Sequence, residues 1–180
     1  MTDMTRRSFV GALPAAVPIL NANGRIRVAL VGAGGRGRDL MNSASRVEGV
    51  ELAVICDADE NRMRQMAGEA GKRTGRTPRT EADLCKVIED KEIDAVILTC
   101  SNHWHALATV WAVQAGKPVY VEKPVSHDIV EGQKMVEAAR KYKRVVQAGT
   151  QRRSSPRFQR AAAQLREGLI GDIYLGVCRG

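Results

Sequence analysis

Six consecutive residues near the amino end combine four glycines with an arginine, in the order Gly32-Ala33-Gly34-Gly35-Arg36-Gly37. The spacing is G-x-G-x-x-G, and it lies between an apolar run and a segment of helical composition, the context in which this pattern binds a dinucleotide. In that role Gly32 permits a tight turn, Gly34 lets the backbone approach a pyrophosphate, and Gly37 lets the helix pack on the strand. Gly35 opens the helix whose free amides meet the phosphate charge, and Arg36 could add a side-chain contact. The sequence therefore predicts a nucleotide-binding loop.

An acidic residue follows this loop at the interval that ribose recognition requires. Asp57 stands 20 residues after Gly37 and directly follows the apolar run 51–56. A carboxylate at the end of the second strand accepts hydrogen bonds from the adenosine ribose hydroxyls, and its charge repels a 2′-phosphate. NAD is therefore the predicted cofactor. Arg62 is close enough in sequence to leave NADP open, and a flavin dinucleotide is the structural alternative.

Two further polar clusters come at the carboxyl ends of predicted strands. The first reads Thr99-Cys100-Ser101-Asn102-His103-Trp104-His105, and the second runs from Gly116-Lys117-Pro118 into Glu122-Lys123-Pro124. In a doubly wound parallel sheet, the carboxyl ends of the strands line the ligand crevice. Residue types alone leave a plainer interpretation open, since a histidine at a helix start is often a cap and Glu-Lys-Pro can be an exposed strand end.

The elements that must position these clusters alternate between strands and helices. Apolar runs predict strands at 26–31, 51–56, 94–99, 118–121 and 144–148, with a very short one in the loop 75–78. Helices are predicted over about 35–46, 59–72, 80–90, 104–115, 126–142 and 156–167, the third from the capping pattern that begins at Thr80. Residues 172–178 alternate as in a half-exposed strand of a different sheet. This order predicts an α/β fold, a doubly wound parallel-sheet Rossmann domain with helices on both faces.

The clusters together resemble the glucose–fructose oxidoreductase and inositol dehydrogenase family (Gfo/Idh/MocA). The resemblance covers about residues 25–180, and Glu-Lys-Pro is its most specific element. The segments that carry it are the glycine-rich loop, Asn102-His103-Trp104-His105, Ala115-Gly116-Lys117-Pro118 with Glu122-Lys123-Pro124, Gly149-Thr150-Gln151-Arg152-Arg153 and Gly168-Leu169-Ile170-Gly171-Asp172-Ile173. The resemblance implies a two-domain NAD(P)-dependent oxidoreductase that acts on a sugar, a polyol or a related carbohydrate. It also implies a second α/β domain that completes the substrate site and often forms the interface of a homo-oligomer.

The resemblance also implies roles for individual residues. Lys123 would be the catalytic residue, beside the nicotinamide and the reacting carbinol, where a cation can stabilise a developing alkoxide or relay its proton. Glu122 would help to position the nicotinamide. His105 with Asn102 would line the ribose on the nicotinamide side, and Gln151 would face the nicotinamide and the substrate. Thr99, at the end of the fourth strand, belongs to the same expected cofactor-binding edge.

Departures from the family pattern limit what can be transferred. Family members commonly have proline after the fourth-strand threonine, where this chain has Cys100. The family's catalytic Asp and His lie in the second domain, of which only the start is expected here. We therefore expect an export signal at 1–22, a Rossmann domain at 23–150, and a linking helix with the first strand of a truncated C-terminal domain at 151–180.

The amino-terminal segment is predicted to be an export signal and not a membrane-spanning helix. Arg6 and Arg7 precede an uncharged stretch at 11–20, which resembles a twin-arginine export signal. The predicted location is therefore periplasmic or exported, and cytoplasmic if the signal does not function. The apolar stretch is too short and too interrupted by proline to span a membrane as a helix.

Charge and cysteine content argue against a nucleic-acid-binding protein, a metal site and a disulfide framework. The chain has 28 Lys and Arg against 20 Asp and Glu, a net charge of +8, but it carries no recognised nucleic-acid module, so a nucleic-acid partner is not predicted. The four cysteines show neither a C-x-x-C pair nor histidines at zinc spacing, so no metal site and no disulfide framework are predicted.

Three functions remain open from the sequence. The first is the carbohydrate oxidoreductase just described. The second is a glycosidase or lyase that uses bound NAD transiently and catalyses no net redox change. The third is a non-catalytic nucleotide-binding fragment.

Overall fold

The computed structural model describes residues 24–177, so the predicted export signal at 1–22 lies outside the described residues. Six parallel strands form one sheet in the spatial order β3-β2-β1-β4-β5-β6. The strands are β1 Ile26–Val31, β2 Val50–Cys56, β3 Arg79–Glu81, β4 Ala95–Leu98, β5 Val119–Glu122 and β6 Val146–Gly149. Because the order reverses between β1 and β4, the carboxyl ends of these two strands form the switch point at which doubly wound folds bind ligands.

Within residues 24–177, six α-helices connect and follow the strands. They are α1 Gly35–Ala44, α2 Glu60–Thr74, α3 Leu84–Glu89, α4 Asn102–Gln114, α5 Ile129–Tyr142 and α6 Pro156–Arg166, with a 3₁₀ turn at Gln151–Ser154. No helix between residues 24 and 177 is long and apolar enough to cross a lipid bilayer.

Alternation along the strands divides the core into two layers. In β1, Val28 and Leu30 face α1 and α2, whereas Ala29 and Val31 face α3, α4 and α5. Successive strand side chains point to opposite faces, so a strand covered on both faces is apolar throughout. The predicted doubly wound parallel sheet is confirmed.

Helix α2 shows how the local sequence sets the limits of an element. The Asp59 carboxylate accepts hydrogen bonds from the backbone amides of Asn61 and Arg62, which caps the first turn. The helix ends before Gly75, whose φ of +73° is left-handed. Between these limits Met63, Met66, Ala67 and Ala70 are buried at helical spacing against the sheet.

The structure corrects the prediction for residues 75–83. The third strand comes later than predicted, because Thr80 pairs with Ile55 of β2 instead of capping a helix. Helix α3 starts only at Leu84, where the Asp83 carboxylate accepts a hydrogen bond from the backbone amide of Cys85. Two helix starts also shift by two to three residues: α4 begins at Asn102, and α5 is capped by Asp128 rather than by Ser126.

The strand predicted at 172–178 is wrong over the residues described. Residues 172–177 form no strand and are exposed, and a strand is stable only when a neighbour accepts its backbone hydrogen bonds. Helix α6 precedes this segment as predicted, with Pro156 in its first turn. It has no buried residue. The core of the described chain therefore lies within residues 26–149.

Candidate functional site

The glycine-rich loop leaves β1 through a turn that only glycine fits. Gly32 has a φ of +104°, and a Cβ at this position would lie 2.5 Å from the carbonyl carbon of Thr99 and 2.6 Å from the backbone nitrogen of Cys100. A Cβ at Gly37 would overlap the carbonyl oxygen of Gly32. These two glycines let the loop, the start of α1 and the end of β4 approach one another.

The start of α1 has the properties of an anion site. Its N-cap is Gly34, no side chain caps it, and its first turn holds no acidic residue. Apart from its chain neighbours and its own helix, a Cβ at Gly34 or Gly35 would meet no atom within 4 Å, so the rest of the protein leaves this space open. Backbone amides at such a helix start are free to bind phosphate, and the helix dipole favours negative charge there. This part of the chain therefore fits the diphosphate of a dinucleotide.

Asp57 lies at the end of β2, beside the loop. One of its carboxylate oxygens accepts a hydrogen bond from the backbone amide of Ala33 at 2.6 Å, and the other accepts one from the amide of Asp59 at 2.9 Å. The backbone adds a further link, since the amide of Gly32 donates to the carbonyl of Cys56 at 2.7 Å. A carboxylate has about four acceptor sites, so Asp57 retains capacity for ribose hydroxyls.

Arg36, for which a phosphate contact was predicted, pairs with a carboxylate in the structure. Its Nε and Nη2 donate to one carboxylate oxygen of Glu122 at 2.8 and 2.7 Å. Glu122 is the last residue of β5 and is buried. The guanidinium thus links α1 to the end of β5.

Glu122 is held by two further groups. The Tyr120 hydroxyl donates to the same oxygen as Arg36, at 3.3 Å, and the backbone amide of Lys123 donates to the other oxygen at 3.2 Å. A Cβ at Gly149 of β6 would lie 2.7 Å from this carboxylate and 2.8 Å from the Tyr120 hydroxyl. Sequence reasoning missed Tyr120 and Gly149. The available signal was that Tyr120 precedes Glu122 by two residues and so shares its face of the strand.

Thr99 ties the end of β4 to the loop. Its hydroxyl lies 2.9 Å from the carbonyl oxygen of Val31 and 2.7 Å from that of Gly32, and it donates to them. This threonine therefore shapes the loop through hydrogen bonds to the backbone.

His105 does not line the crevice, which corrects its predicted contact with the nicotinamide-side ribose. The ring is 1% exposed. Its Nδ1 lies 2.6 Å from the carbonyl oxygen of Pro124, and its Nε2 lies 3.0 Å from that of Cys100. Both ring nitrogens are thus occupied by backbone, and His105 connects α4 to the turn that follows Glu122 and Lys123. Sequence reasoning could not separate this role from ligand binding, because both place a histidine in the first turn of α4.

Replacing His105 by alanine is expected to lower the free energy of unfolding by roughly 3 kcal/mol, because the buried ring leaves a cavity and its hydrogen bonding to the backbone is lost. Urea denaturation followed by circular dichroism measures this loss. The matched control is His103→Ala, an exposed neighbour on the same helix, for which a change within about 0.5 kcal/mol is expected. Equal losses in the two variants would contradict the assigned role.

The remaining predicted site residues are exposed at the carboxyl edge of the sheet. Asn102 starts α4 after β4, Lys123 follows β5, and Gln151 starts the 3₁₀ turn after β6. The same edge carries the glycine-rich loop after β1. The fold therefore brings all three residues to the crevice, while their contacts with a ligand remain predictions.

Lys117, from the same family-like motif, lies at the opposite edge. It is buried, and its ammonium donates to the carbonyls of Asp90 and Ile93 at 2.7 Å each. Burial lowers the pKa of this lysine. Its hydrogen bonds hold the segment that enters β4 against the start of β5, which is a structural role.

Two thiols lie at the crevice edge. Burial raises the pKa of Cys56 to about 12 and that of Cys100 to about 11, so both stay protonated and weakly nucleophilic near neutral pH. Among residues 24–177, no group of three or more His, Cys, Asp or Glu side chains could hold a metal ion.

Comparison with known proteins agrees with this geometry. Residues 26–150 match the family model described as an oxidoreductase family with an NAD-binding Rossmann fold. Inositol 2-dehydrogenase 1 of Saccharopolyspora erythraea is 34% identical over 155 residues, which are 85% of this chain and 45% of that protein. The rhizopine catabolism protein MocA of Rhizobium meliloti is 30% identical over 154 residues, 86% of this chain and 46% of that protein.

A solved structure has a similar fold. The crystal structure of myo-inositol 2-dehydrogenase from Lactobacillus plantarum superposes with a TM-score of 0.72 at 26% identity, covering 83% of this chain and 43% of that one. The chain thus spans less than half the length of the relatives that it matches.

Proposed function

The chain belongs to the Gfo/Idh/MocA oxidoreductase family, as its motifs predicted, and we propose that the whole protein transfers hydride between NAD and a carbohydrate or polyol. The observation that carries the proposal is the open start of α1 beside Asp57, which fits the diphosphate and the adjoining ribose of NAD. We further infer that the substrate is a cyclic polyol of the inositol type, because several of the similar proteins are named inositol 2-dehydrogenases.

The positions along the sheet edge support a placement for each half of the cofactor. The diphosphate would meet α1 after β1, and the adenosine ribose would meet Asp57 after β2. The nicotinamide half must then extend in the other direction, over the ends of β4 and β5. Lys123 is exposed at the end of β5, so it would lie next to the reacting carbon.

The chemistry divides between cofactor and protein. When bound, NAD supplies the acceptor for the hydride. As an ammonium, Lys123 would stabilise negative charge on the carbinol oxygen; as the neutral amine, it would accept the carbinol proton while the hydride leaves for NAD. The backbone amides of α1 would hold the diphosphate, and the Asp57 carboxylate would accept hydrogen bonds from the ribose hydroxyls.

The activity is tested by incubating the protein, as its gene encodes it, with NAD and a panel of polyols that includes myo-inositol and scyllo-inositol. Steady accumulation of reduced nicotinamide, followed by absorbance, is the expected result. Saturable binding of NAD without accumulation on any polyol or sugar would refute the proposed dehydrogenase activity and leave the nucleotide site standing.

Replacing Asp57 by asparagine is expected to shift cofactor preference towards NADP. Asparagine keeps an oxygen for the Ala33 amide of the loop, loses the hydrogen bond from the Asp59 amide, and removes the charge that repels a 2′-phosphate. The ratio of the dissociation constants of NADP and NAD should fall by about tenfold, which corresponds to about 1.4 kcal/mol.

Isothermal titration with both nucleotides measures this ratio. Asp59→Asn is the matched control, because it removes the same charge two residues away and asparagine is an equally good helix cap. If the two variants changed the ratio equally, the assignment of Asp57 to the ribose would have to be abandoned.

A further inference from the structure

Glu122 is a buried carboxylate whose position depends on its partners. It is 4% exposed, and an ionised carboxylate at such a position needs hydrogen bonds and opposite charge to offset the loss of water. Arg36 provides two of these hydrogen bonds and the only charge opposite to it among the contacts named above. Tyr120 provides a third hydrogen bond to the same oxygen.

All three nitrogens of the Arg36 guanidinium face carboxylates. Nε and Nη2 donate to Glu122, and Nη1 lies 3.6 Å from a carboxylate oxygen of Asp39. A diphosphate that approached this side chain would meet the negative charges of both carboxylates, which oppose its binding there. The open backbone amides of α1 can receive the diphosphate without that repulsion, since the first turn of α1 holds no acidic residue.

The Arg36–Glu122 ion pair joins the two halves of the proposed nucleotide site. Arg36 lies in the first turn of α1, which begins at the diphosphate loop. Glu122 lies 86 residues later, directly before Lys123, on the side where the nicotinamide half must extend. With one Glu122 oxygen held by Arg36 and Tyr120, the other accepts from the Lys123 amide and orients that turn.

We propose that Arg36, supported by Tyr120, is a positioning residue that orients Glu122 and the Lys123 turn for the nicotinamide half of the cofactor, and is not a ligand of the diphosphate. The inference deepens the proposed function and rests on it. Gly149 is part of the same unit, since any side chain there would occupy the space of the carboxylate and the phenol.

Arg36 keeps its charge and Tyr120 keeps its proton around neutral pH. The hydrogen bonds that Arg36 donates to Glu122 raise its already high pKa. Burial raises the pKa of Tyr120, and the charge of Glu122 raises it further, so the phenol keeps the proton that it donates. A change in binding caused by loss of this unit should therefore be the same at pH 6.5 and pH 8.5.

ADP-ribose and NADH separate the two possible roles, because ADP-ribose contains the adenosine and the diphosphate but lacks the nicotinamide. Calorimetric titration of Arg36→Met should show NADH binding weakened by about tenfold and ADP-ribose binding changed by less than about twofold. Equal weakening of both ligands would make Arg36 a diphosphate ligand, and unchanged binding of both would make the ion pair purely structural. Either result would overturn the inference.

Two further variants keep the inference testable if Arg36→Met fails to fold. Tyr120→Phe removes only a hydroxyl and should produce the same selective loss for NADH, at about threefold. The double variant Arg36→Met with Glu122→Gln no longer buries an unpaired charge, so it should melt at a higher temperature than Arg36→Met alone. A lower melting temperature in the double variant would contradict the pairing.

Arg38→Met is the control for charge. Arg38 lies on the same helix, donates to Glu69 at 2.9 Å and faces away from Glu122, so both dissociation constants should stay at their original values. Failure of the proposed nucleotide site would look different, because the unaltered protein would then bind neither ADP-ribose nor NADH, and the inference would fall with it.

Discussion

Gly32→Ala is expected to destabilise the domain by roughly 3 kcal/mol or more, because a left-handed backbone and a backbone clash act together. The new Cβ would lie 2.5 Å from the Thr99 carbonyl carbon, and neither the loop nor β4 can move without losing sheet contacts. Gly34→Ala, two residues later, is expected to fold normally, since its Cβ meets no protein atom within 4 Å. It should instead weaken NADH binding by at least about tenfold, because the methyl group fills the space that the diphosphate needs.

Thermal melting and NADH titration of the two variants measure these opposite patterns. Gly68→Ala in α2 is the control, because it places a methyl group in open space within a helix and should stabilise the protein by about 0.5–1 kcal/mol. A Gly32→Ala protein with an unchanged melting temperature would disprove the packing argument. A Gly34→Ala protein with unchanged NADH affinity would disprove the approach of the diphosphate to this backbone.

Lys123→Met is expected to lower kcat by about a hundredfold to ten-thousandfold, the usual contribution of a positioned proton-transfer group. The dissociation constant of NAD should change by less than about threefold, because a residue that acts mainly on the transition state contributes little to ground-state binding. Steady-state kinetics on a turned-over polyol, with a parallel NAD titration, separate the two quantities.

Lys134→Met is the matched control for this substitution. Lys134 is an exposed lysine of α5 that donates to Glu137 at 2.8 Å, and its removal should leave both kcat and NAD affinity unchanged. A Lys123→Met enzyme with an unaltered kcat would remove this lysine from the mechanism.

The nucleotide loop could be predicted from sequence because its determinants are local. The spacing of Gly32, Gly34 and Gly37 reflects one turn and one close contact, and the order of apolar runs already requires a parallel sheet. Belonging to the family and having a Rossmann fold follow from such patterns, and both predictions are confirmed.

The errors arose where distant contacts override a local pattern. Thr80 resembled a helix cap, yet it pairs with Ile55, and a capping pattern contains no information about a strand 25 residues away. The run at 172–178 alternated like a strand, but alternation does not supply a partner strand.

The roles of individual side chains were hardest to predict for the same reason. Arg36 and Glu122 are 86 residues apart, so nothing in the glycine-rich motif shows that its arginine faces a carboxylate on β5. His105 lies where a ligand contact was expected, but each of its ring nitrogens is at hydrogen-bond distance from a backbone carbonyl. Residue type and strand edge locate the crevice, whereas the direction of each side chain depends on the assembled fold.

Isothermal titration of the folded protein with NAD and NADP addresses the nucleotide site without assuming any substrate. We expect saturable heat with one NAD bound per chain and weaker binding of NADP, because the carboxylate after β2 disfavours a 2′-phosphate. If folded protein, verified by its melting transition, gave no heat with either nucleotide, the open start of the first helix would not be a dinucleotide site.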